Sequence, residues 1–377
     1  MSTATVSNES LPNPVSYLPS INSPKDSSGC DANKVSYKDA FVMPAKSRSK
    51  TGVKPDKKVM TPDGRIRSFE ELGVSTKTVI AVTNLRVHLD VFYSYVPIVD
   101  FTPQEKRRGR KKRIVIETPV HRLPFGSVIM VQRRRDFRGT VLKSKSRKNN
   151  TYFLHSVTVV MALNDNKMVN IKVSANGKFQ ITGCKENAHY EQAIVALYHN
   201  LIQIQEYTGM ESFYMVEDNT LIRTQRTDLP VKATFNTVMQ NMDFNIGFAI
   251  DRNKLDRFIN THTDFCSIFE GSLTTEVNIK IKAVQTTDSE LHQIQYHPAT
   301  QQLTRSMVPY QFYCDLLNDK ERKKETTKVR YHTLLSFGSG SIIMSSRGPE
   351  MKRVFYDFVN ILLENRKHFE DTSCFKL

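Results

Sequence analysis

One structural unit is written twice in this chain. Residues 169–205 run VNIKVSANGKFQITGCKENAHYEQAIVALYHNLIQIQ, and residues 332–368 run HTLLSFGSGSIIMSSRGPEMKRVFYDFVNILLENRKH. Each is an apolar strand, a glycine turn (Gly177; Gly338 and Gly340), a second strand, a short break and an amphipathic helix. A second echo lies upstream, Phe153-Leu-His-Ser156-Val-Thr158 against Phe269-Glu-Gly-Ser272-Leu-Thr274. A twofold repeat of strands closed by a helix predicts a pseudo-symmetric α+β molecule.

Charge narrows the class of partner. Residues 104–150 hold sixteen Lys and Arg against three acids, which is +13 of the chain's +16. A charge so concentrated implies that one segment meets a polyanion. Duplex DNA is both polyanionic and nearly symmetric, so it suits a doubled fold. No apolar run approaches the roughly 20 residues that span a bilayer. The start MSTATVSNESLPNP has no basic segment followed by an apolar one, so no secretory leader is expected there. Five scattered cysteines form no C-x-x-C pair, which argues against a disulfide framework or zinc site and for a reducing intracellular compartment. His292 and His297 have ligand-like spacing, yet no Cys pair precedes them. Cys184 lies near a helix start, a setting that lowers a thiol pKa, but no nucleophile–base pattern surrounds it. With no P-loop, GxGxxG or nucleophile elbow, neither an enzyme nor a cofactor is expected.

Along the chain, residues 1 to about 60 are rich in Ser, Asn, Pro and Lys and are expected to be disordered. Thr61-Pro-Asp-Gly64 reads as a turn and Ser68 as a helix cap. The first repeat, 74–205, starts with a strand at 78–85 and a short helix at 89–96. The basic insertion 104–150 follows, with a strand at 127–132 that pairs with 140–142. Strands at 156–163 and 167–173 flank the turn 164–167, and a helix at 186–204 turns Tyr190, Ile194, Leu197, Tyr198 and Leu201 to one face. The second repeat, 230–369, has a strand at 235–248, a helix capped by Asp251 and a strand at 272–283. A polar excursion at 285–328 precedes strands at 333–337 and 341–345. The final helix follows Pro349, with the stripe Met351, Val354, Phe355, Phe358, Val359 and Leu362. Phe179, Phe355 and Phe358 read as core. One long helix per half covers one face of a continuous sheet, so the other face is left to solvent or a ligand.

These residues resemble the two repeats of the TATA-box-binding protein family. The likeness rests on TVIAVTNL followed by LDVF, on NIKVSANGKFQITG, and on LLSFGSGSIIMSS with the terminal helix. STKTVIAVTN, RRGRKKR and NGKFQITGCK further resemble the divergent members found in large nucleocytoplasmic DNA viruses. It covers residues 74–284 and 329–369. The resemblance implies a pseudo-twofold saddle of two strand–helix–antiparallel-strands–helix repeats, with helices on the convex face. The concave sheet would lie on the minor groove of A·T-rich promoter DNA and bend it in transcription initiation. Double-stranded DNA, a B-type initiation factor and RNA polymerase subunits are the implied partners. The implied setting is the host nucleus or a cytoplasmic viral replication site, with packaging in the virion as a further option.

Carried over residue by residue, Phe269 and Phe337 match the wedge pair of the second repeat, and Phe153 matches one wedge of the first, with Phe125 as a rival. Ser174 stands where the first repeat's other wedge would be, and it cannot intercalate. Asn236 matches a groove-reading Asn, whose first-repeat counterpart is Thr78. Leu335, Ile343 and Ser345 share the second-repeat face; Gln180, Thr182 and Lys172 share the first, with Lys178 as a further phosphate contact. Arg107, Arg108, Arg110, Lys111, Lys112 and Arg113 form an Arg-Gly-Arg-centred basic run that suits phosphate and a narrow minor groove. A stretch of this kind also serves as an import signal or a solvated loop. An architectural or packaging protein of low sequence preference is the alternative to an initiation factor.

Overall fold

The computed structural model describes residues 57–101, 123–140, 155–164, 167–217, 220–222, 229–272, 275–283, 289–348 and 350–372. All of them lie within the compact unit Ser36–Leu377. In chain order come α1 (Phe69–Leu72), β1 (Thr76–Thr83), β2 (Leu85–Val87), α2 (Leu89–Tyr95), β3 (Val128–Arg133), β4 (Asp136–Gly139), β5 (Ser156–Ala162), β6 (Met168–Ser174), β7 (Lys178–Cys184), α3 (Asn187–Thr208), β8 (Phe213–Glu217) and β9 (Thr220–Ile222). There follow β10 (Val231–Asn245), α4 (Arg252–His262), β11 (Cys266–Ile268), β12 (Glu276–Lys282), β13 (Glu290–His297), β14 (Gln302–Pro309), α5 (Tyr310–Asp315), α6 (Asp319–Thr327), β15 (Tyr331–Phe337), β16 (Ser341–Ser346), α7 (Met351–Glu364) and α8 (Arg366–Phe369).

Among the described residues, thirteen strands join in one large curved antiparallel sheet: eleven follow the order β11-β12-β15-β16-β10-β1-β7-β6-β5-β3-β4, and off this path β13 pairs with β10 and with β14. The central strand β10 is long enough to hold two neighbours on one edge: Val231–Phe235 pairs with β13, and Gln240–Asn245 pairs with β16. Strands β2, β8 and β9 form a separate small sheet.

Two apolar cores lie against this sheet. The first gathers Val79, Ala81, Ile171, Phe179 and Phe235 around α2 and α3; the second gathers Met242, Phe244, Leu334 and Met344 around α4 and α7, with Phe355 and Phe358 fully buried. Strand alternation produces this. In β6, Val169, Ile171 and Val173 are buried while the residues between them are half-exposed. The parity of β10 changes part-way. A bulge against β1 falls between Thr237 and Met239, so odd residues face the first core before it and even residues face the second core after it. Phe235 and Phe244 therefore both point at helices.

The turn glycines of the doubled unit hold equivalent positions. Gly177 has φ +77° and a Cβ there would lie 2.1 Å from the Leu85 carbonyl oxygen; Gly340 has φ +78° and a Cβ would lie 2.1 Å from that of Phe248. Each turn thus closes against the backbone just after the central strand of its own half. Gly338, the other candidate, has no such constraint.

Several expectations change. Residues 57–60 are not part of a coreless tail, because Val59 is fully buried in the second core and bonds to the Asn245 backbone. The hairpin partner of β3 is β4 (Asp136–Gly139), not 140–142. The excursion at 285–328 is not irregular: it builds β13, β14, α5 and α6. Pro349 lies outside the described residues. Capping by Ser68 and Asp251 is present, each side chain accepting the backbone N–H of the residue three positions on.

Candidate nucleic-acid interface

The sheet face opposite both cores is left uncovered by the long helices α3 and α7. Cross-strand partners share a face, so register assigns its members. In the second half, Leu335 lies opposite Asn278 and Ile343, Phe337 opposite Glu276, and Ser345 opposite Asn241 and Thr333. Phe337, Leu335, Ile343 and Ser345 are thereby brought together, as alternation predicts. Ser345 Oγ lies 2.9 Å from Asn241 Oδ1.

Phe269 stands elsewhere. It is one residue past β11, packs against the second core and carries the Arg252 guanidinium 5.1 Å above its ring. Its neighbour Ile268, opposite Asn278, occupies the open face and is 57% exposed. Alternation over a three-residue strand is too short a signal to set that register from sequence.

In the first half, Thr78 lies between Met239 and Thr182, Ile80 between Asn236 and Gln180, and Val82 between Thr234 and Lys178. Lys172 lies opposite Gln180 and Thr158. Thr78, Gln180, Thr182, Lys172 and Lys178 therefore share one surface. Ser174 lies opposite Ser156 at the end of β6 and β5. Phe125 packs against the first core. Phe153 and the basic run Arg107, Arg108, Arg110, Lys111, Lys112 and Arg113 lie outside the described residues. Sequence reasoning missed Phe137. It pairs with Gln132, which continues the row through Thr158 and Lys172, so Phe137 stands at the far end of the open face, 54% exposed. The hairpin tip beside it is Arg134-Arg135, with Arg134 at φ +53°. The cluster of arginines was the available signal; its placement required the β3–β4 register.

Asn236 is on the open face but is not open. Short helices from the excursion lie over it. Tyr313, Cys314 and Leu317 of the α5–α6 segment form a small apolar cluster on Val82 and Leu291. Asn236 is 1% exposed; its Oδ1 accepts from Arg347 Nη2 at 3.0 Å and its Nδ2 donates to Glu325 Oε1 at 3.4 Å. The same Glu325 oxygen accepts from Tyr310 Oη at 2.7 Å and from Arg347 Nη2 at 3.0 Å, and lies 2.8 Å from Arg330 Nη2. One turn earlier, Glu321 Oε1 accepts from Lys178 Nζ at 3.0 Å. Helices thus occupy both sheet faces, contrary to the single helical layer expected from sequence. The excursion is also tied to the helical side. Tyr296 of β13 lies 2.9 Å from His199 of α3, and Glu191 of α3 accepts from His292 at 2.6 Å and from Arg305 at 2.7 Å.

Other reactive groups are structural in setting. Burial pushes the Cys184 thiol up to about 12, against the lowering expected at a helix start, and the nearby Lys167 and Lys77 offset only part of this. Ser346, His332 and Glu350 form a chain reminiscent of a hydrolytic triad, with His332 Nδ1 at 2.5 Å from Ser346 Oγ. Ser346 and His332 are both buried on the core side. Among the described residues no group of three His, Cys, Asp or Glu side chains is placed to hold a metal. No described helix is long and apolar enough to cross a membrane.

Comparisons with known proteins add four findings. No family model matches the chain. Over 310 residues it is 24% identical to the uncharacterized protein 335L of Invertebrate iridescent virus 6, covering 80% of this chain and 86% of that one. Over 125 residues it is 34% identical to a TATA-box-binding protein-like protein of Acanthamoeba polyphaga mimivirus, covering 32% of this chain and 31% of the relative, so the chain spans about a third of that protein. Among solved structures, the TATA-box-binding protein of Methanococcus jannaschii aligns over 78% of this chain and 98% of its own, with 12% identity and a TM-score of 0.34.

Proposed function

We propose that this chain is a TATA-box-binding-protein-like initiation factor: a two-repeat saddle whose open sheet face binds and bends A·T-rich promoter DNA through the minor groove. The supporting observation is the order of strands. Outward from the central β1–β10 pair, one half runs β7, β6, β5, β3 and the other β16, β15, β12, β11. Each half places its first helix after the central strand and its second after the last hairpin, and each closes that hairpin with an equivalent glycine. The 34% identity to the mimivirus protein points the same way.

The face has the chemistry this task needs. Unstacking a base step costs a few kcal/mol, and an apolar side chain on an open sheet offsets this by replacing the stacking. Phe337 and Ile268 at one end and Phe137 at the other are placed to do so. Between them Gln180, Thr182 and Ser345 are hydroxyl and amide groups of the kind that test A·T against G·C in the minor groove, whereas Thr78 is buried beneath that face. Binding, rather than catalysis, is the whole of the activity, and a B-type factor and polymerase subunits are its protein partners.

Competition binding between A·T-rich and G·C-rich duplexes, with energy transfer between end labels to report bending, tests the reading. A preference for A·T with a bend that Phe337→Ala reduces is the expected result. A preference ratio near one, with a bend, would favour the architectural reading, which the polar first-half face around Lys172 and Ser174 supports. No binding to either duplex would overturn both.

A further inference from the structure

We propose that Lys178 and Arg347 form a phosphate-binding site at the centre of the open face, and that Glu321 and Glu325 of α6 occupy it in the free protein, so that duplex binding requires α5–α6 to lift off. This inference rests on the reading of the open face as the DNA surface.

Four observations carry it. First, α6 presents two carboxylates one turn apart, at i and i+4, to the sheet, and each meets a cation of the open face: Glu321 meets Lys178 and Glu325 meets Arg347. Second, the opposite side of the same helix, Lys320, Lys323 and Lys324, is exposed. Two of the three acids of the helix thus face the sheet while these three lysines face solvent, as in a stand-in for a polyanion. Third, the contact is small. Tyr313, Cys314 and Leu317 supply its buried apolar side chains, so the seat is far lighter than the two main cores. Fourth, the segment covers Asn236 and Val82, which sit at the middle of the sheet, so a duplex lying along the face meets it. Arg347 follows β16 directly and donates to Asn236, Tyr310 and Glu325 from one nitrogen. When Glu325 leaves, a phosphate oxygen replaces one charge-assisted acceptor with another.

A covered site binds with its intrinsic affinity reduced by the fraction of molecules that are open. Loosening the cover raises apparent affinity without changing the DNA contacts. Leu317→Ala loosens it without altering charge, and the pair Glu321→Gln with Glu325→Gln removes its anchors. Asp315→Asn with Asp319→Asn, both on exposed parts of the same segment, makes the identical change in net charge away from the sheet and serves as the control. Affinity of the full chain for an A·T-rich duplex is measured at fixed salt, alongside backbone hydrogen exchange across 310–327.

The expected result is about tenfold or more tighter binding by Leu317→Ala and by the double Gln variant, little change in the control, and faster exchange across 310–327 when wild type is saturated with duplex. If wild type binds DNA and the loosened variants bind no better than the control, or if exchange at 310–327 slows on binding, the cover is overturned while the DNA-binding function stands. If no variant binds duplex, the proposed function falls and this inference falls with it.

Discussion

Glu191 offers the sharpest test of how the excursion is held. Its side chain is 3% exposed on α3 and receives hydrogen bonds from His292 of β13 and from both Nε and Nη2 of Arg305 on β14. Burial by itself would raise the carboxyl pKa; the hydrogen bonds from His292 and Arg305 outweigh it and leave the value below the usual 4.5. The carboxylate is therefore better bound in the folded state than in the unfolded one. Hydrogen bonds to charged groups contribute about 1.5–3 kcal/mol each. Arg305 is half-exposed and regains water when its partner is removed, so its share is discounted. His292 is more deeply buried and keeps most of its share. Glu191→Ala should cost about 2 kcal/mol at pH 7. Glu191→Gln, which keeps the shape and one acceptor, should cost about half of that. Because the folded pKa is depressed, the stabilisation is fully present above pH 4.5 and is lost as pH falls through the lower folded value. Urea titrations of wild type and Glu191→Gln from pH 7 to pH 3 should converge at the acid end. A Glu191→Ala cost within about 0.5 kcal/mol, the range of ordinary surface changes, or a wild-type advantage that persists at pH 3, would refute the clamp.

Gly340→Ala should destabilise by about 2 kcal/mol or more, because it combines positive φ with a backbone clash, whereas Gly338→Ala should cost less than about 1 kcal/mol; equal costs in denaturant titrations would place the tight turn elsewhere. Burial holds the pKa values of His199 and His332 below 6.5. Folding therefore favours their neutral forms, and stability should be full above that pH and decline as pH falls through the folded values. His199→Gln should flatten the decline between pH 7 and pH 5, and an unaltered slope would remove His199 from the account. Phe137→Ala should leave the unfolding midpoint within about 0.5 kcal/mol of wild type while weakening duplex binding; unchanged affinity would exclude Phe137 from the interface. Deleting residues 106–113 should lower the slope of log affinity against log salt by roughly one for each phosphate that the segment neutralises, and an unchanged slope would deny that segment a role on the backbone.

The sequence by itself determined the doubled unit and most of its elements. Strand periodicity, helical stripes and turn chemistry are local, and a repeat shows them twice. The hairpins at Gly177 and Gly340, the caps at Ser68 and Asp251, and the buried Phe355 and Phe358 all follow from neighbours within a few residues. So does the surface shared by Leu335, Ile343 and Ser345, which strict alternation across one hairpin is enough to define.

Tertiary structure decided the rest. The bulge at Thr237–Met239 reverses which residues of β10 face the cores, and nothing in a single strand's composition marks it. Ile268 rather than Phe269 reached the open face because β12 set the register of a three-residue strand. Phe137 became a surface aromatic only through pairing with β3. Most of all, the polar excursion could be read as a loop because its apolar residues are few and its charges many. Folded, those few residues found a seat on Val82 and Leu291, and its acids found Lys178 and Arg347 from other parts of the chain. Local pattern encodes which way a side chain points along its own strand or helix. What stands opposite it depends on contacts between residues scores of positions apart, and here those contacts decide whether Asn236 is open to a ligand or covered.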